Sequence, residues 1–415
     1  MTEQQQSRRR SFRAVAGLVA LSVAFLLPLA AGPPAPAAAA PEDPVYAVSV
    51  GDSYIAGEGA RWVANAEGNW DKGGVPAEVK AKTDRAAAPG ATLDQVYPPR
   101  EALANGSPGC HRSDAAEIMA AEGAPSPSGM VTETVNIACS GATTKHLLSG
   151  YEAKGERSQI EQLRELVAKR KISHVVISIG GNDALIKTIN DCVKSWWNSG
   201  YCSTDPAVTG SYDLALKSVE KDVGEAIRQI KGIFKGKSAK TRIIVQSYPN
   251  PLGSGDPATT VGDENSWSRW STFGCPFYNR DIKWIGTQVL PGLTAELKKV
   301  AKTEEVDFLD LRGALAGHEV CSTEPHLAEL TPRGRIYVPK EADAHWARYM
   351  ERSKTGIPAT ENQEPLHPNF LGAKAQGHCL SEFLNALAKA GKPVSAQCQA
   401  AAGKGPKDVE VKIAG

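Results

Sequence analysis

In the stretch Val48-Ser49-Val50-Gly51-Asp52-Ser53-Tyr54-Ile55-Ala56-Gly57, a serine follows directly on a short apolar run. A buried strand that ends in Gly-Asp-Ser lifts the Ser53 hydroxyl onto a turn, where a substrate can reach it. Three further segments complement it: Cys139-Ser140-Gly141-Ala142, Gly180-Gly181-Asn182-Asp183 and Glu364-Pro365-Leu366-His367-Pro368. Cleaving an ester with a serine requires a base for the hydroxyl proton, donors for the tetrahedral oxyanion and a group that orients the base. Ser53 is the candidate nucleophile and His367 the candidate base. Glu364, three residues earlier, is the candidate carboxylate for the ring nitrogen that faces away from Ser53. Oxyanion donors are expected from the Ser53 backbone N–H, from Gly141, which has no side chain to obstruct its amide, and from the Asn182 side-chain amide. Asp52 and Asp183 are read as braces for their turns. The elbow Gly-x-Ser-x-Gly of α/β-hydrolases does not occur in the chain. His111, His146, His174, His318, His326, His345 and His378 lack a comparable context and read as surface residues.

These residues need a scaffold, and the apolar patterning supplies one. Tyr46–Val50, Thr134–Ala138, His174–Ile179, Arg242–Ser247 and Val306–Leu311 are rich in Val and Ile and apolar at consecutive positions. That pattern predicts strands covered on both faces, as in a parallel sheet. Between them, Ser158–Arg170, Tyr212–Phe234, Tyr278–Lys302 and Asn369–Ala390 carry apolar residues at helical spacing. Strands alternating with helices predict a three-layer α/β fold. Ser53, Gly141 and Asn182 each follow a different predicted strand, and ligands of open α/β sheets bind at the carboxyl ends of the strands. Ala60–Ser107, Asp191–Ser211, Pro249–Pro276 and Gly313–Pro365 read as unusually long loops, suited to binding surfaces or decoration. No internal repeat is present.

The 415 residues suffice for one large domain or two small ones. Arg8, Arg9, Arg10 and Arg13 precede the nearly continuous apolar stretch Ala14–Ala31, and a small-residue tract ends in Ala37-Ala38-Ala39-Ala40. This reads as an export signal over residues 1–40 with cleavage near Ala39. Arg9-Arg10 before Ser11-Phe12 resembles a twin-arginine signal, and an ordinary Sec signal fits as well. The alternative is a retained anchor, since a run of about 18 residues is just long enough to span a bilayer. Residues 41–402 are expected to form the domain, and 403–415 a polar tail with one strand-like run, Val409–Ile413. The formal net charge is +1. It argues against nucleic acid or an anionic membrane as partner. Cys110, Cys139, Cys192, Cys202, Cys275, Cys321, Cys379 and Cys398 form an even set without a C-x-x-C. In an exported chain such a set implies disulfides rather than a metal site. Nearest-neighbour pairing is the expectation, with 192–202 closing the shortest loop.

The four blocks, in the order Gly51-Asp52-Ser53 with Gly57, Gly141, Gly180-Gly181-Asn182-Asp183 and His367-Pro368, resemble those of SGNH hydrolases of the GDSL lipase/esterase superfamily, in the secreted actinomycete style. Cys110-His111-Arg112-Ser113 and Cys139-Ser140-Gly141-Ala142-Thr143-Thr144 are similar to further segments of those members, and the likeness runs from about Val45 to Cys398. The resemblance implies a flavodoxin-like sheet of about five parallel strands in order 2-1-3-4-5. It also implies hydrolysis without metal or cofactor through an acyl-serine, with Ser53, Gly141 and Asn182 as oxyanion donors. The family usually carries Asp where this chain has Glu364, and some members orient the histidine with a backbone carbonyl.

The expected activity is therefore a secreted, monomeric lipase or esterase acting on a small-molecule or lipid ester. Acyl groups on lipids and acetyl or acyl groups on polysaccharide compete as substrates, because the scaffold serves both. Trp62, Trp70, Trp196, Trp197, Trp267 and Trp270 lie in or beside predicted loops, either lining a groove or packing the loops. A secreted binding protein that has lost activity is the reading from another class.

Overall fold

A computed structural model describes residues 43–68, 75–87, 96–97, 108–237, 240–351 and 363–414. The expected export signal and Trp70 lie outside these residues.

Seven strands build the main sheet: β1 (Val45–Gly51), β2 (Glu133–Asn136), β3 (Lys171–Ser178), β4 (Arg242–Gln246), β5 (Asp307–Gly313), β6 (Ser395–Gln399) and β7 (Glu410–Ala414). Their order is β2-β1-β3-β4-β5-β6-β7, parallel except for β7. The first five strands thus follow the expected 2-1-3-4-5 order. Two further strands extend the sheet past the five of that order. β6 pairs with β5, and β7, within the stretch expected as a polar tail, pairs antiparallel with β6 from Ser395↔Ala414 to Gln399↔Glu410. The class is α/β, with a mostly parallel sheet flanked by helices.

Consecutive residues of β1 and β3 are buried, so both sheet faces are covered. Several of the helices start where the sequence provides caps. Ser158 Oγ accepts from Glu161 N ahead of α1 (Gln159–Lys169). Asp205 accepts from Ala207 N ahead of α3 (Pro206–Phe234), whose first residue is a proline. Asn369 accepts from Leu371 N and Gly372 N ahead of α5 (Phe370–Leu387). Between β4 and β5 the expected helix is broken by a π-helical turn, Ile285–Val289, before α4 (Leu290–Thr303).

One expected loop is largely helical. Within Asp191–Ser211, α2 (Ile186–Trp197) carries Trp196 and Trp197, and α3 begins at Pro206. The polar sequence Lys-Ser-Trp-Trp-Asn-Ser-Gly masks the helix period there. Trp62, Trp196 and Trp270 are buried, whereas Trp197 and Trp267 keep 36% and 48% of their surface exposed. Trp197 contacts Trp196, Trp267 and Trp270 edge to face. Among the described residues no helix is long and apolar enough to cross a membrane.

The eight cysteines form four disulfides: Cys110–Cys139, Cys192–Cys202, Cys275–Cys321 and Cys379–Cys398. Cys379–Cys398 ties α5 to β6. Replacing both of its cysteines by serine is expected to cost roughly 3 kcal/mol in the chain-entropy view of its 19-residue separation. Urea unfolding measures this, and unchanged stability would mean the bridge constrains nothing that the packing of α5 does not already hold.

Candidate active site

The end of β1 dictates the first half of the site. Gly51 has φ +144, and a Cβ there would stand 1.9 Å from the Ser178 carbonyl oxygen of β3, so only glycine fits. The chain stays pinned to β3 through Asp52 N, which donates to Ser178 O at 3.0 Å. Asp52 then caps the short helical turn Ser53–Ala56 by accepting from Tyr54 N at 3.1 Å, and its other oxygen accepts from the Tyr248 hydroxyl. Burial pushes the Asp52 carboxyl up to about 7. It acts as a brace, as the sequence indicated. At the start of this turn the Ser53 N–H has no partner within the helix and can serve a ligand.

The second wall comes from the β2 and β3 ends. Gly141, at φ +76, takes a left-handed conformation that suits glycine, with the Tyr151 hydroxyl 3.2 Å from where its Cβ would be. Asn182 lies in the π-helical turn Gly181–Leu185 after β3. Its Nδ2 donates to Ala142 O at 2.9 Å, which fixes the amide beside the Gly141 loop. Asp183 accepts from Thr144 N and Thr144 Oγ1, the latter at 2.7 Å, joining the two loops.

His367 arrives from the loop before α5. Arg348 N donates to His367 O at 2.8 Å, Leu366 N donates to Arg348 O at 2.6 Å, and the Tyr54 hydroxyl donates to Leu366 O at 3.0 Å. Leu366 is held at φ +64, a conformation that costs a non-glycine residue of order 1 kcal/mol or more. The ring ends with Nε2 2.6 Å from Ser53 Oγ and Nδ1 3.1 Å from Pro365 O. A carbonyl can only accept, so Nδ1 carries the proton and Nε2 is left to accept from the serine.

The expected role of Glu364 is not met by this geometry. Its carboxylate turns away from the ring and accepts from Trp62 Nε1 at 2.6 Å and from the Tyr97 hydroxyl at 2.9 Å. The backbone between the two residues is a tight turn, closed by His367 N donating to Glu364 O at 3.1 Å. That turn brings the Pro365 carbonyl, not the Glu364 side chain, under Nδ1.

Ser53, Gly141, Asn182 and His367 border one cavity of about 490 Å³, together with apolar Ile186, Ile189 and Met350 and polar Tyr151, Lys154 and Gln363. None of these last six was singled out by sequence, and neither was Glu58. Glu58 is fully buried, and its Oε1 lies 2.7 Å from His111 Nδ1. By itself His111 reads as a surface histidine, and its Cys-His-Arg-Ser block was the available signal. Its ring stacks on Tyr97. Burial opposes charge on Glu58, but the His111 hydrogen bond and the positive influence of His367 outweigh it and hold the carboxyl below its usual value. Burial lowers the His367 pKa below the usual imidazole value, and Glu58 is the charge that most opposes this shift. Among the described residues no cluster of His, Cys, Asp and Glu could hold a metal ion.

A lowered imidazole pKa keeps the neutral, proton-accepting form present at mildly acidic pH, and function that needs it is lost as pH falls through that value. Glu58→Gln removes the negative charge that most opposes this shift. The acid limb of a kcat/KM–pH profile is therefore expected to move to lower pH than in the parent protein; a limb that stays put or moves up would sever Glu58 from His367 electrostatically.

The sequence profile of the GDSL-like lipase/acylhydrolase family matches residues 48–380. No curated protein matches the chain. Similar solved structures include an extracellular lipase from Streptomyces rimosus (19% identity, 82% of this chain and 98% of that chain covered, TM-score 0.41) and phospholipase A1 from Streptomyces albidoflavus NA297 (18%, 82% and 99%, 0.43). A carbohydrate acetylesterase, Est24 from Sinorhizobium meliloti, is similar at 13% identity, covering 82% of this chain and 99% of that chain with a TM-score of 0.36. With most of its length matched by the profile, the chain belongs to the GDSL-like lipase/acylhydrolase family.

Proposed function

We propose that this protein is a secreted serine hydrolase that cleaves carboxylic esters through an acyl-serine intermediate. The observation that carries the reading is the 2.6 Å contact between Ser53 Oγ and an imidazole whose other nitrogen is committed to a carbonyl. On this reading Ser53 Oγ attacks the ester carbonyl carbon as its proton passes to His367 Nε2. The C–O π pair moves onto the carbonyl oxygen, which is held by the Ser53 and Gly141 N–H groups and the Asn182 amide. Collapse breaks the bond to the alcohol oxygen, which takes the proton from Nε2. Water then repeats the sequence on the acyl-serine and restores the hydroxyl. The Pro365 carbonyl holds the tautomer, and the charges of Glu58 and Glu364 favour the imidazolium through space.

Ile186, Ile189 and Met350 along the cavity support an acyl chain as the bound group. The four disulfides support an oxidising destination. No cofactor takes part in this scheme.

Hydrolysis of p-nitrophenyl acyl esters of graded chain length tests the reading. Ser53→Ala and His367→Ala are each expected to lose roughly 10⁴-fold or more in kcat. Glu364→Gln is expected to stay within about 10-fold of the parent, as a group that does not touch the ring. Equal losses for Glu364→Gln and His367→Ala would restore the carboxylate to the orienting role, and an active Ser53→Ala would remove Ser53 as nucleophile. Asn182→Ala is expected to lower kcat by roughly 10²–10³, the loss typical of one oxyanion donor; an unchanged kcat would take Asn182 out of the mechanism.

A further inference from the structure

Lys154 stands beside the oxyanion loop with a charge that the proposed chemistry has not used. Its Nζ donates to Gly109 O at 2.6 Å, to Ser140 O at 2.7 Å and to Gln363 Oε1 at 3.2 Å. Three acceptors match the three protons of an ammonium group, and all three are neutral carbonyl oxygens. Among the described residues no carboxylate forms an ion pair with Lys154; Glu58 and Glu156 act on it only through space. The amine also lies 3.8 Å from where a Cβ of Gly141 would be, on the cavity wall.

The partner that matters is Ser140 O. This oxygen and the Gly141 N–H belong to one peptide group, and in a trans peptide they point in opposite directions. A cation that holds the oxygen on the Lys154 side therefore turns the N–H the other way and prevents the peptide from flipping. Drawing electron density toward the oxygen also leaves the N–H a stronger donor, as hydrogen-bonded chains polarise one another. The loop is tied down on the same side by Ser140 N donating to Cys110 O at 3.1 Å and by the Cys110–Cys139 disulfide. Ser140 Oγ donates to Gln363 Oε1 at 3.0 Å, so the third Lys154 partner is itself joined to the same residue.

Resting on the reading of Gly141 as an oxyanion donor, we propose that Lys154 is a positioning residue that locks and polarises the Ser140–Gly141 peptide for the tetrahedral intermediate. Its contribution falls on the transition state and not on the ground-state ester, because the carbonyl of a bound substrate carries little charge. It does not contact the reacting atoms, and all three of its protons are engaged away from them.

The test compares Lys154→Met, Lys154→Gln and Lys154→Arg in the full-length protein with a p-nitrophenyl ester, alongside thermal melting. Lys154→Met is expected to lower kcat by about 10-fold or more, below the roughly 10²–10³-fold loss of a donor outright, with KM within about 2-fold. Lys154→Arg, which keeps the charge, is expected to recover part of the loss, and Lys154→Gln, which keeps a donor without charge, to recover less. Inhibition by an alkyl boronic acid, which forms a tetrahedral adduct on a serine, is expected to weaken by the same factor as kcat/KM. An unchanged kcat, or a loss confined to KM, would overturn the proposal. Should Lys154→Met fail to fold, the Arg and Gln variants decide: kcat for Arg no higher than for Gln would overturn it. Ser53→Ala separates the two levels. If it is inactive while the Lys154 variants turn over like the parent, only the role of Lys154 is lost; if it stays active, the acyl-serine reading itself falls.

Discussion

The hydrogen bond between Ser53 and His367 joins groups 314 residues apart in sequence, and the arrangement of the molecule follows from the need to make it. The serine end is fixed by β1, held between β2 and β3, and by the contact between Asp52 and the end of β3. The histidine end has no strand of its own. It is held by a web of backbone bonds to Arg348 and Trp346, by the Tyr54 hydroxyl on Leu366 O and by the Asn369 cap of α5. A loop closing so long a stretch of chain is entropically costly to order, and a left-handed leucine beside the imidazole adds strain. Both are tolerated because the loop has anchors on either side of the ring.

Around the imidazole the electrostatics are spread rather than paired. Among the described residues no carboxylate touches Nδ1; a neutral carbonyl does. Glu58 and Glu364 instead supply negative potential from positions where other groups hold them, Glu58 by His111 and Glu364 by Trp62 and Tyr97. His111 and Tyr97 stack, so the two carboxylates sit at opposite ends of one connected set of side chains. Burial keeps the imidazole pKa below its usual value, and the spread negative charge still favours the cation once a proton arrives.

The scaffold was legible where the sequence signal was local. Five apolar runs appear as β1 to β5, and four blocks that follow strands, or precede the last helix, meet at one cavity because strand ends and helix starts are where short motifs leave a mark. Cysteine pairing by nearest neighbour is what the structure contains. Less legible was whatever depended on where a side chain points. Glu364 is three residues from His367, yet a tight turn sends its carboxylate to Trp62. Lys154 and Glu58 are unremarkable letters whose meaning comes from carbonyls and a histidine far along the chain. β7 showed as the strand-like run Val409–Ile413, whereas β6 is hidden because Ser-Ala-Gln-Cys-Gln is mostly polar. The helix bearing Trp196 and Trp197 was hidden by a polar surface.

Gly51 has an implication for reading relatives of this chain. Its lack of a side chain is demanded by the Ser178 carbonyl, and the Asp52 carboxylate is demanded by Tyr54 N and the Tyr248 hydroxyl; neither requirement involves a substrate. Only the third letter of Gly-Asp-Ser answers to the chemistry we propose. A descendant that had abandoned hydrolysis would remain under pressure to keep the first two letters, since the architecture would still need them. Two-thirds of this signature is thus an imprint of the strand crossing, and the hydroxyl must be checked separately before any homologue is counted as an enzyme.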